Sequence, residues 1–247
     1  MRAVSRVVCV IGLLVTWTSA ARAQQADSVP QGLSGSAGFG LSLTQGNTDT
    51  LNISATDDSI YDPKTGNVMK WSALYLRGKQ NGVLAVNRVS GTFRDELTVN
   101  KRVFMFAQFG ALHDTFKGID YLYSPSAGVG YKLIDTKITT WSADAGIGGV
   151  VERDTGAPAI GSGAITFSER LVHQLGPTIA LKEAVTGLLK MNDIADGLYT
   201  FGGGVAARVN SRLQMSVDVL NTFKNHPVDG LTHKNDLAVV TSVIAKY

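Results

Sequence analysis

The final segment of the chain alternates without a break. Leu237, Val239, Thr241, Val243, Ala245 and Tyr247 form one face, apolar or neutral and ending on an aromatic, while the opposite face begins at Asp236 and ends at Lys246. A side-chain period of two belongs to a β-strand, and two unlike faces call for two unlike environments. Such a strand also needs a partner on each edge, because its backbone groups are otherwise left unpaired.

The same period recurs along the chain and predicts twelve strands, at about 33–43, 49–61, 67–78, 84–99, 102–115, 121–133, 137–151, 160–174, 178–190, 197–209, 212–223 and 235–247. Most exceed the five or six residues usual in soluble sheets. They match the roughly 9–11 residues a tilted strand needs to cross a bilayer. In the first, Leu33, Ala37, Phe39, Leu41 and Leu43 oppose Ser34, Ser36, Gly38, Gly40 and Ser42. In the eleventh, Leu213, Met215, Val217 and Val219 oppose Arg212, Gln214, Ser216 and Asp218. The third and fifth strands are ambiguous; both faces of 101–112 carry apolar groups. The chain contains no stretch of 18 consecutive apolar residues after its N-terminal region, so no helical span is expected.

The N-terminus specifies a compartment. Arg2 and Arg6 precede a short apolar run, 7–15, and Ala21-Arg22-Ala23 supplies a small-x-small cleavage site. This is the pattern of a cleaved secretory signal over 1–23, followed by a short periplasmic segment, 24–32, and one unit over 33–247. The only cysteine, Cys9, lies within that signal, so thiol chemistry and disulfides are not expected. The signal also holds Arg2, Arg6 and Arg22 of the 23 Lys+Arg, which leaves 20 against the 20 Asp+Glu. A near-neutral chain without basic runs gives no reason to expect a nucleic-acid partner.

Alternation alone also suits a soluble sandwich. Three features argue instead for an all-β, transmembrane, antiparallel up-and-down barrel. The signal directs export. The polar face is rich in Gly, Ser and Thr rather than the Lys and Glu of soluble surfaces. Aromatics cluster at predicted strand ends, with Tyr61, Trp71, Tyr131, Trp141 and Tyr247 at one rim and Tyr121, Tyr123, Tyr199, Phe201 and Phe223 at the other. Within a bilayer every backbone group must be paired, so the sheet must close. With both termini periplasmic, the periplasmic turns are 62–66, 100–101, 135–136, 176–177 and 210–211. The outer connections are expected to be longer, but none long enough to plug the lumen.

Several stretches carry a family likeness: Gly46-Asn47-Thr48-Asp49 followed by Leu51-Asn52-Ile53-Ser54-Ala55, Asp120 with Ser126-Ala127-Gly128-Val129-Gly130-Tyr131, Ala145-Gly146-Ile147-Gly148, Asn192-Asp193, and Asn235-Asp236. In these the chain resembles the family of salt-induced outer-membrane proteins, whose defining domain is of unknown function. The resemblance implies an outer-membrane barrel in a Gram-negative envelope and no particular substrate.

Even-numbered residues are expected to face the lumen. Arg88, Arg94, Lys132, Arg170, Lys182, Lys190, Arg208 and Arg212 then outnumber Glu96, Asp144, Glu152 and Asp218. Rings of Arg and Lys select anions, which predicts a passive narrow pore for small solutes with a mild anion preference. If the same charges pair across the lumen, they make a closed envelope-structural barrel instead. The alternative is a non-conducting envelope protein that binds ions, surface lipid or a partner through its outer loops. There, Asn47, Asp49, Asn81, Asp120, Asn192, Asp193, Asn235 and Asp236 are hard oxygen donors of the type that hold Ca²⁺ or Mg²⁺, and also ordinary turn residues. No cofactor is expected. An outer-membrane hydrolase would need a serine within reach of an imidazole. His113 faces away from Ser124 and Ser126, and His173 is near the opposite rim, so no enzyme is expected. The expected partners are outer-membrane lipid and, through the strand ending at Tyr247, the barrel-assembly machinery. Asp95, Glu169 and Glu183 fall on the lipid face, the latter two opposite each other across the Gly176-Pro177 turn. A bulge, a packed partner chain or protonation would each accommodate them.

Overall fold

The computed structural model describes residues 31–44, 50–115, 117–226 and 234–247. The expected signal, Asn47 and Asp49 lie outside them. Twelve strands follow one another: β1 (Gly32–Thr44), β2 (Thr50–Asp62), β3 (Asn67–Gln80), β4 (Val83–Thr98), β5 (Val103–Asp114), β6 (Ile119–Asp135), β7 (Thr139–Asp154), β8 (Ile160–Gln174), β9 (Ile179–Lys190), β10 (Asp193–Arg208), β11 (Leu213–Lys224) and β12 (Asn235–Lys246). Each pairs antiparallel with the next, and β12 returns to β1, so the sheet closes into the predicted barrel. An even strand number brings Gly32 and Tyr247 to one end, here the terminal end; the opposite one is the far end.

Parity is as expected. Odd-numbered Phe39, Phe93, Met105, Val129, Ile147, Met215 and Val239 are exposed outside, and even-numbered Arg94, Phe104, Phe106 and Ser216 are buried inside. The ambiguity of β5 has a physical cause. Phe104, Phe106 and Leu112 are apolar because the lumen itself is partly apolar.

The turns show why the sequence reverses where it does. Asn100 Oδ1 accepts the N–H groups of Arg102 and Val103, and Asn210 Oδ1 accepts those of Arg212 and Leu213, each an Asx turn closing a terminal-end hairpin. At the far end, Asn81 and Gly82 both take positive φ, 51° and 78°, which a two-residue type I′ hairpin requires. That connection and Met191-Asn192 are two residues each, so the far-end loops are not uniformly the longer ones. β10 starts at Asp193, four residues before the predicted start, and its register breaks between Asp193 and Gly197.

The outward carboxylates are accommodated without a bulge: the register around Asp95, Glu169 and Glu183 is unbroken. Glu169 pairs with Val185 and Leu171 with Glu183, so the two glutamates are diagonal neighbours and not opposite each other. All three, and Asp57, lie within five residues of the terminal end of their strands, where charge on the lipid face costs least. Glu169 accepts the Trp141 indole N–H. Asp57 accepts hydrogen bonds from Ser59 Oγ and the Tyr247 hydroxyl, each at 3.0 Å. Asp95 Oδ1 is buried with no hydrogen-bond partner among the described residues.

Tyr247 is a clasp. Its backbone exchanges two 3.1 Å hydrogen bonds with Gly35, and its phenol passes over β1 to within 2.6 Å of Ser59 Oγ on β2. Gly35 makes this possible, since a Cβ there would sit 2.8 Å from the phenol ring. The last residue is thereby tied to the second strand as well as the first.

Candidate functional site: the lumen

The lumen is the concave surface on which the inward side chains converge, and it divides into two charged layers. The layer nearer the terminal end is centred on Arg94. Its Nε donates to Glu96 at 2.7 Å, Nη1 to Gln108 at 3.0 Å and Nη2 to Asp144 at 2.9 Å. Its guanidinium lies 3.8 Å from the Phe106 ring centroid, a cation–π contact. Lys70 adds a 2.6 Å ion pair to Glu96, while Ser168 and Arg170 donate to Asp144 at 2.7 and 3.3 Å. Gly130 leaves room for the Phe104 ring beneath this cluster; a Cβ would overlap it. These groups come from β3, β4, β5, β7 and β8, along one arc of the wall.

The far-end layer crosses the bore. Arg88 on β4 donates to Asp114 at 2.9 Å and to Thr222 on β11 at 2.8 Å. Lys224 on β11 pairs with Glu152 on β7 and, at 3.0 Å, with Asp154. Lys190 joins Glu152 and Asp196. Lys117, wholly buried in the β5–β6 connection, reaches Asp236 on β12 at 2.7 Å and the Lys234 carbonyl at 2.9 Å. Beside these pairs Leu112, Ile119, Leu122, Val150, Ala164 and Leu188 form a buried apolar cluster. The side chain of Lys117 thus brings one far-end connection into contact with the opposite wall. Register shifts between Leu112 and Asp114 and between Ile119 and Tyr121 turn odd-numbered Ile119 inward. Re-aiming one side chain is what a β-bulge does.

The predicted lumen residues therefore separate. Arg88, Arg94, Glu96 and Asp144, with Lys190 and Glu152, lie in the ion-paired layers, and Arg170 lies at the edge of one. Asp218 accepts Ser216 Oγ at 2.6 Å. Lys182 is exposed within the bore. Lys132, paired with Asp135, and Arg208 lie near the terminal rim, and Arg212 lies in a terminal-end turn rather than in the wall. Most of the cations expected to form an anion-selecting ring are thus neutralised by carboxylates or sit at the mouth. Parity could have found Lys70, Asp114, Asp196 and Lys224, which were hidden by an ambiguous strand or by strand ends drawn too short. Lys117 carried no such signal, since it lies in a connection.

A cavity of about 170 Å³ remains at the far end, lined by Leu76, Val86, Arg88, Asp114, Leu220, Thr222 and residues 235–238. The described rim donors do not gather into a metal site. Asp120 is engaged by Arg153 and Thr155, Asp193 by His226 and the Ala195 N–H, and Asp236 by Lys117. The Asn192 N–H donates to Ser162, Asn235 lines the cavity, and Asn81 forms the β3–β4 hairpin. Among the described residues no three His, Cys, Asp or Glu side chains are placed to hold a metal. Two imidazoles meet framework groups: His113 meets Asn87 and the Asp120 carbonyl, and His173 meets the Thr139 hydroxyl at 2.8 Å.

A family model described as "Protein of unknown function, DUF481" matches residues 37–247. No curated protein matches the chain. Among solved structures, the NanC porin aligns with a TM-score of 0.54 at 8% identity, covering 87% of this chain and 99% of the porin. The translocator domain of the autotransporter NalP from Neisseria meningitidis aligns at 10% identity and a TM-score of 0.49, covering 90% of each chain. At such identities the likeness to the porin concerns the fold alone: an outer-membrane barrel.

Proposed function

This chain belongs to DUF481, a family of proteins of unknown function, and we propose that it serves the Gram-negative outer membrane as a barrel held shut to free diffusion. The observation that carries this reading is the far-end layer. A hydrogen bond from Arg88 on β4 to Thr222 on β11, an ion pair from β7 to β11 and another from the β5–β6 connection to β12 stand beside an apolar cluster. A through-going water column would have to break buried pairs, and removing one member of such a pair typically costs roughly 3–5 kcal/mol. A small barrel filled by its own side chains needs no separate plug domain. Export through a cleaved signal, contact with outer-membrane lipid and delivery by the barrel-assembly machinery through the strand ending at Tyr247 belong to the same reading. N-terminal sequencing of the purified protein should begin at Gln24.

A second reading, the narrow pore with mild anion preference, draws on Lys182 and Arg208, which are exposed. Swelling of proteoliposomes in solutes of graded size separates the two. The shut barrel gives no swelling above empty liposomes with any solute. The pore gives swelling that falls as the solute grows.

A further inference from the structure

Charge on the outer wall is sorted by depth. Among the described residues the outward strand carboxylates, Asp57, Asp95, Glu169 and Glu183, all lie toward the terminal end. The outward strand cations, Arg77, Lys79 and Arg153, all lie within three residues of the far end of their strands. Odd-numbered Asp135 and Asp193 are no exceptions, since register shifts pair them with Thr140 and Lys190 on the inward parity. Cost alone keeps charge near an interface, but it does not send opposite signs to opposite interfaces. An anionic leaflet does, because each Lys or Arg near such a surface gains about 1 kcal/mol. The far-end cations are also confined to one side of the barrel. Among the described residues no outward strand position on β1, β2 or β8 to β12 carries one.

These cations belong to one polar row across five consecutive strands. Arg77 on β3 is the register partner of Asn87 on β4, whose amide meets His113 on β5 at 3.3 Å. Tyr121 on β6 is the register partner of Arg153 on β7. Four strand spacings set the two ends of the row roughly 19 Å apart. Lys79, the next outward position after Arg77, doubles the charge at the β3 end. Asp120, the carboxylate of this row, approaches Arg153 Nε at 3.7 Å and accepts Thr155 Oγ1. No described carboxylate pairs with Arg77 or Lys79, and both are exposed. Toward the barrel middle the row gives way to an apolar wall. Tyr121 stacks on Tyr123 and Tyr123 on Phe109, with Val89 and Phe93 exposed beside them. Guanidinium matches phosphate in charge and geometry, and two separated cationic ends suit a head with two phosphates. We propose that the far-end outer wall over β3–β7 seats a phosphate-bearing lipid of the outer leaflet. Arg77 and Lys79 take one phosphate, Arg153 takes another, and the acyl chains run down the apolar wall. The seat requires the far end to face outside and is independent of whether the axis conducts.

The test uses the full chain refolded in detergent and bisphosphorylated lipid A as probe, titrated by native mass spectrometry. One retained lipid per barrel is expected, with dephosphorylated lipid A held roughly tenfold or more weakly. Arg77→Ala with Lys79→Ala, and separately Arg153→Ala, should each weaken binding by about tenfold, while Arg77→Lys with Lys79→Arg should retain it. Lys101→Ala with Lys137→Ala removes two cations from terminal-end turns and should leave binding unchanged. The heat-induced band shift in gel electrophoresis checks that each variant is a folded barrel. Equal losses from the far-end and terminal-end double variants would reduce the effect to net charge and overturn the seat. Equal retention of dephosphorylated lipid A or of phosphatidylglycerol would overturn it too, as would the absence of any retained lipid. Displacement by inorganic phosphate at the concentration of the lipid would assign the site to the free ion instead. Conductance of the same protein reports on the axis alone, so failure of the shut barrel and failure of the lipid seat are distinguishable.

Discussion

The two charged layers of the lumen are built from the same residue types to different ends. The terminal-end layer runs along the wall, from Lys70 through Glu96, Arg94 and Asp144 to Arg170. The far-end layer runs across the bore, tying β4 and β7 to β11 and the β5–β6 connection to β12. The second is also the one with an apolar cluster beside it, and on the shut-barrel proposal it is the one that obstructs passage. Counting lumen charges does not distinguish a selectivity ring from a brace; the chords they span do. Net positive charge on the inward face becomes an anion filter only if the cations lack carboxylates, and here Arg88, Arg94, Lys190 and Lys224 all have them.

Substitutions should separate the layers by their effects. Glu152→Gln leaves Lys224 and Lys190 with a weakened acceptor in the far-end layer, and should cost the most, roughly 3–5 kcal/mol in urea unfolding of the vesicle-embedded barrel. It should also introduce transient conductance. Asp144→Asn acts on the wall layer, where Arg94 retains Glu96 and Arg170 is partly solvated. About 2–3 kcal/mol is expected there, with no new conductance. If Asp144→Asn conducts and Glu152→Gln does not, the assignment of roles is reversed. Tyr247→Phe removes a hydroxyl from the seam clasp, worth about 1 kcal/mol, and should accelerate unfolding measured by band shift in gel electrophoresis. Lys132→Ala breaks only a rim pair with Asp135 and should change stability by about 1 kcal/mol or less.

Much of the fold was legible because a barrel in a bilayer obeys parity. Odd residues outward and even residues inward follows from strand geometry alone, and it placed Arg94, Glu96 and Asp144 correctly inside. Parity has no information about distance across the lumen, so it could not show that Arg88 reaches Thr222 or that Lys224 reaches Glu152. It fails at bulges, which is why Ile119 escaped it, and it says nothing of connections, where the buried Lys117 lies. It also misjudged Glu169 and Glu183 by two residues, because register depends on the 175–178 turn and not on the pattern of the strands it joins. The β1–β12 junction lies furthest from sequence, since it joins segments about two hundred residues apart.

The most direct measurement is single-channel conductance of the refolded barrel in a planar bilayer under a salt gradient. With the far-end braces intact, a folded barrel should be silent, and Glu152→Gln should produce intermittent steps. Stable open steps in the unmodified protein, with a reversal potential leaning toward anions, would contradict the shut barrel and return the function to a small-solute pore.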